Sequence, residues 1–162
     1  MKHLSVIQKG LLVSMLTITA SLFTFYSLGW SEKGNIQFIN IGIFICGILW
    51  TILSANQKLS SPGVKTLFNE SFKFFMVVTL VMSIYTFVFY RLNPQILQQA
   101  LQENEIMIQK LGNKTPSEIA DNNKKIKDIF IPMMIMFTVI RYLLLGSISS
   151  LCVAFFIEMR KS

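Results

Sequence analysis

The sequence predicts an all-α integral membrane protein: a bundle of four transmembrane helices with an extramembrane helical hairpin between the third and the fourth. Three observations predict it. Hydrophobic side chains make up 52% of the 162 residues and charged ones only 14%, against about 25% charged in an ordinary soluble domain. The apolar residues gather into four runs, 10–30, 36–53, 74–90 and 132–159, each near or above the ~17–25 residues that cross a bilayer as a helix. Between the last two lies a polar segment, 94–130, with helix punctuation of its own. The whole chain, 1–162, is read as one membrane domain.

The first run has the flanks of a secretory signal, with Lys2, His3 and Lys9 before it and Ser27-Leu28-Gly29 imitating a cleavage site. Its apolar core is longer than the ~7–15 residues of such a signal and three further spans follow, so it is expected to remain as a helix. It carries a row of small hydroxyl residues, Ser14, Thr17, Ser21 and Thr24; the second span carries Gly42 and Cys46. Ser60-Ser61-Pro62-Gly63 then make a turn. After it, Leu67, Phe68 and Phe72 beside Lys65, Glu70 and Lys73 predict a short interfacial helix feeding the third span. Glu70 and Lys73, one turn apart, predict a surface ion pair.

In the polar segment, Asn93-Pro94 supplies a helix cap and first-turn proline, and Gly112 a stop. Thr115-Pro116-Ser117-Glu118 is a capping box, in which hydroxyl and carboxylate satisfy each other's backbone amides. Leu97, Leu101, Ile108 and Leu111 fall on one face of the first helix, and Ile119, Ile126 and Phe130 on one face of the second, which is expected to end near Pro132. Two such stripes bury each other in a hairpin. The fourth span contains Gly146, Ser150 and Ala154 at four-residue spacing. Small side chains let helices approach closely where lipid offers no hydrophobic drive. These three, with Ser14, Thr17 and Ser21, are therefore the expected helix-packing or oligomer face; a hydroxyl-lined path is the other reading.

Lys2, Lys9, Lys58, Lys65, Lys73, Arg160 and Lys161 flank the spans on one side, against Lys33 on the other. That bias predicts both termini in the cytoplasm, with 94–130 outside. The net charge of +7 is thus a topology signal, and no interleaving of aromatics with Arg/Lys points to nucleic acid. No cofactor is implied. Cys46 and Cys152 fall inside spans, away from acidic or histidine partners at ligand spacing. His3 is the only histidine, and neither a nucleophile elbow, a phosphate loop nor a zinc motif occurs.

Phe68-Asn69-Glu70-Ser71-Phe72-Lys73, Ile84-Tyr85, Asn93-Pro94, Thr115-Pro116-Ser117-Glu118-Ile119 and Gly146-Ser147-Ile148-Ser149-Ser150-Leu151 before a basic end together resemble the bacterial membrane family known as domain of unknown function 4199. The resemblance covers nearly the whole chain, most clearly from Gly63 onward. It implies a four-span inner-membrane protein without an assigned activity. Phe75 departs from the pattern, which leads one to expect a small residue two positions after Lys73.

Arg141 is the one cation well inside an apolar run. A helix over 132–159 is about 42 Å long, against a hydrocarbon core of ~30 Å. If its lower end is fixed by Glu158 and Arg160, Arg141 reaches the outer interface and snorkels there beside Tyr142, leaving 131–140 with Met133, Met134 and Met136 above the hydrocarbon. Placed deeper it needs a partner, and no Asp or Glu lies inside a span. Hydroxyls, Asn40, Tyr85 or an anionic lipid or ligand are then its candidates. The expected function is that of a non-enzymatic accessory or assembly component that contacts the bilayer and a membrane-protein partner or a second copy. The alternative is a small homo-oligomeric transporter or lipid-handling protein using Arg141 and the hydroxyls of the first helix.

Overall fold

The computed structural model describes residues 4–28, 35–59, 62–111 and 115–160. The predicted end of the first span at Trp30, the serines of the turn at 60–61, the Gly112 stop, and Lys2, His3, Lys33, Lys114 and Lys161 lie outside the described residues. Five helices and no strand form among the described residues: α1 Val6–Leu28, α2 Asn35–Lys58, α3 Val64–Leu92, α4 Pro94–Leu111 and α5 Pro116–Met159. Four of them, all but α4, contain stretches long and apolar enough to cross a membrane, the pattern of a multi-pass membrane protein.

Each boundary has a local cause. At α1 the Ser5 amide donates to Gln8 Oε1 at 2.9 Å and the Gln8 amide to Ser5 Oγ at 3.2 Å, a capping box that starts the helix ahead of the apolar run. Gly63 O accepts from the Thr66 and Leu67 amides at 3.0 and 3.2 Å and so caps α3. Asn93 both ends α3 and opens α4. Its backbone and side-chain N–H groups reach Phe89 O at 3.1 and 2.8 Å, and its own carbonyl accepts from Ile96 N at 3.2 Å. At α5 the Thr115 amide donates to Glu118 Oε2 at 2.7 Å and the Glu118 amide to Thr115 Oγ1 at 3.4 Å.

Two elements run longer than their expected bounds. The interfacial helix before the third span is the first part of α3, continuous from Val64; the Glu70–Lys73 ion pair, 2.7 Å, lies on it. Likewise α5 runs unbroken for 44 residues through Pro132, where separate helices on either side were expected. A proline removes one N–H and so leaves the carbonyl four residues earlier, at Asp128, without its helical donor. The helix nonetheless continues through it.

The chain divides into two compact units, 1–82 with 139–162, and 83–138. The first unit is built around aromatic rings. Phe44 stacks near Phe74 at 6.3 Å and meets Tyr142 edge-on at 5.0 Å, and Phe44, Phe74 and Phe75 are fully buried. Glycines admit these rings. A Cβ on Gly47 would lie 2.6 Å from Phe74 Cζ, and one on Gly146 would lie 2.7 Å from Phe75 Cγ. Phe75, where the sequence reading expects a small residue, is therefore matched by the space above Gly146 on α5. The second unit joins the end of α3, α4 and the first half of α5. Its bonds are Thr86 Oγ1 to Thr138 Oγ1 at 3.1 Å, Asn104 Nδ2 to Asn123 Oδ1 at 3.1 Å and an edge-on Tyr90–Phe130 contact at 5.4 Å. Ile108, Ile119 and Phe130 are buried there as the stripes predict, joined by Ile96. Leu97, Leu101 and Ile126 are half-buried.

Candidate functional site

The small-residue rows of α1 and α5 face the interior of the first unit, whereas Gly42 and Cys46 on α2 are exposed. Ser14, Thr17, Ser150 and Ala154 have no exposed surface, and Gly146 is buried under Phe75. The hydroxyls of this interior are spent on their own helices: Ser14 Oγ donates to Gly10 O at 2.8 Å, Thr17 Oγ1 to Val13 O at 2.8 Å and Thr51 Oγ1 to Gly47 O at 2.9 Å. A hydroxyl bonded to the carbonyl one turn back offers little to a passing solute. Ser21 differs, since its Oγ accepts from Asn40 Nδ2 at 2.8 Å and so ties α1 to α2. Among the described residues Ser150 Oγ finds no hydrogen-bond partner. The Gly146, Ser150 and Ala154 row thus lies against neighbouring helices of its own chain, and an oligomer face built on it would first have to be uncovered.

Arg141 lies on the opposite face of α5. It is exposed, between Phe137 and Ile140 on one side and Leu144 and Ile148 on the other, all of them 44–59% exposed. Its guanidinium forms no hydrogen bond or ion pair among the described residues. Asn40 is occupied by Ser21. Tyr142, expected beside Arg141 at an interface, instead points inward and is 7% exposed against Phe44. Neighbouring residues on a helix are about 100° apart, so an outward arginine sends the following tyrosine toward the core. Arg141 therefore lies on an exposed apolar face of α5 and lines no interior among the described residues.

The structure also brings together a cluster around Lys9, which the sequence reading takes only as a topology signal. Lys9, near the start of α1, is only 5% exposed, and its Nζ sits 5.1 Å from the centroid of the Trp50 ring on α2. Gly10 explains how a lysine becomes enclosed there. A Cβ on it would lie 3.0 Å from Val77 Cβ and 3.2 Å from Phe74 O, so α1 rides directly on α3 at this level. Lys58 and Glu70 are the charges close enough to act on Lys9. The Lys-Gly pair at 9–10 is visible in the sequence, but its burial depends on the Phe74 side of α3, which no local pattern announces. Among the described residues no group of three or more His, Cys, Asp or Glu gathers to hold a metal.

No family model, curated protein or solved structure matches this chain.

Proposed function

We propose that this is a non-enzymatic protein of a bacterial inner membrane, both termini in the cytoplasm, that serves as an accessory or assembly component of a membrane complex. It follows the plan that the likeness to domain of unknown function 4199 implies, with the polar hairpin around α4 on the outer side. The partner's contact surface is that hairpin together with the adjoining part of α5. The observation that carries this reading is the length and exposure of the apolar stretch of α5. Residues 130–157 extend about 42 Å at ~1.5 Å per residue, beyond a hydrocarbon core of ~30 Å. Within that surplus Met136 and Phe137 are 52% and 50% exposed. Methionine beside aromatic and aliphatic groups suits an adaptable protein contact.

The alternative, a homo-oligomeric transporter or lipid-handling protein, needs a polar path, and its proposed hydroxyls at Ser14 and Thr17 are buried and bonded to their own backbone. The test is a photo-crosslinking side chain at Met136 in tagged protein, illuminated in native membranes and followed by mass spectrometry. The proposal expects one protein adduct in stoichiometric yield. Adducts to lipid and to the chain itself alone would overturn it.

A further inference from the structure

Lys9 is a buried cation with unfilled bonding capacity. An ammonium has three N–H donors and no acceptor, and a charge withdrawn from water is disfavoured until something compensates it. The Trp50 ring at 5.1 Å compensates one side. Among the described residues no carboxylate or carbonyl accepts from Lys9 Nζ, and the nearest acid that acts on it, Glu70, is already held by Lys73 at 2.7 Å. Lys58, in the last turn of α2, adds a second cation. The local charge is therefore positive and the missing group is an anion.

We infer that Lys9, seated on Trp50 and flanked by Lys58, binds the phosphate of an anionic phospholipid headgroup at this end of the bundle. The surroundings favour a lipid over a free ion. One and two turns further into α1, Leu12 and Leu16 are 42% and 52% exposed, an apolar strip on which an acyl chain can lie below the headgroup. Basic residues at a span's end are also where anionic lipid is drawn. The inference rests on the membrane reading of the chain and is independent of the protein partner proposed above.

The test is native mass spectrometry of the purified full-length protein in detergent, offered phosphatidylglycerol, phosphatidylcholine or excess inorganic phosphate. Phosphatidylglycerol is expected to be retained about ten-fold better than phosphatidylcholine, and Lys9→Gln to lose about that factor. Lys9→Arg, which keeps the cation, should hold the lipid, and Lys58→Gln should weaken retention about three-fold. Inorganic phosphate should not displace it. Equal retention of the two lipids, or equal retention by wild type and Lys9→Gln, would overturn the inference, as would displacement by inorganic phosphate, which would name the free ion as ligand. Should Lys9→Gln fail to fold, Lys58→Gln at its exposed helix end decides, and unchanged retention there overturns it. Failure of the membrane reading is distinguishable, because the protein would then not fractionate with membranes.

Discussion

Gly146 and Phe75 fit closely where α5 meets α3, and they show what a sequence can and cannot disclose at the residue scale. That Gly146 and Ser150 sit on a packing face was readable from their spacing. That the ring above Gly146 is Phe75 was not, because the two are far apart in the chain and meet only through the packing of whole helices. Gly146→Ala sets a methyl 2.7 Å from the ring and is expected to destabilise the protein by about 1–3 kcal/mol. Phe75→Leu should recover part of that loss, seen as a thermal unfolding midpoint in detergent that is higher in the double variant than in Gly146→Ala. Ser150 carries the opposite prediction. Its buried hydroxyl has no partner among the described residues, so Ser150→Ala removes an uncompensated polar group and should stabilise by about 1 kcal/mol. A midpoint lowered by Ser150→Ala would show that the hydroxyl has a partner after all.

At the scale of the element, the ends of the helices were more legible than their continuity. The Thr115–Glu118 box and the Asn93-Pro94 start follow from side-chain chemistry within a few residues, and α4 begins at Pro94 as that chemistry dictates. The Ser5–Gln8 box obeys the same pattern but stood outside the apolar run, so the reading began α1 late. Pro132 misled in the other direction. A proline at the border between charged and apolar residues looks like a boundary, because inside a helix it removes a hydrogen bond and crowds the preceding turn, yet α5 runs through it for 44 residues in all. Thr115→Ala should cost about 1 kcal/mol and speed amide hydrogen exchange at residues 117–119 while leaving the first unit unchanged; equal exchange in both proteins would assign no stabilising role to the box. Pro132→Ala is expected to slow exchange around Asp128, where the freed carbonyl regains a donor, with insertion into the membrane unaltered.

At the scale of the whole molecule, composition alone established four apolar helices, because lipid demands length and low charge of any span. The roles of the inner and outer faces had to come from packing. In the sequence the small hydroxyl residues favour a packing seam over a polar path, and their bonds to carbonyls one turn back agree with the seam; Arg141 reads there as interfacial or, deeper, in need of a partner, and the structure adds that it sits on an exposed face of α5 among apolar neighbours. Lys9 reversed the expectation for a flanking lysine: it is enclosed by close helix approach at Gly10. Outward-facing Arg141 predicts that Arg141→Leu inserts and folds as the parent does, measured by membrane yield and monodispersity in detergent. A collapse in yield would mean that the guanidinium is needed inside the fold.

The arrangement of four spans with the α4 segment on the side opposite both termini is tested most directly by cysteine labelling in intact cells. The native Cys46 and Cys152 are exposed on their helices and are first replaced by alanine. Single cysteines are then placed at Glu103, exposed on α4, and at Lys58, at the end of α2. Labelling of the Glu103→Cys protein by an impermeant maleimide in intact cells, with Lys58→Cys labelled only after the cells are broken, is the predicted result. The reverse pattern would invert the topology, and labelling of both positions from outside would contradict the four-span arrangement itself.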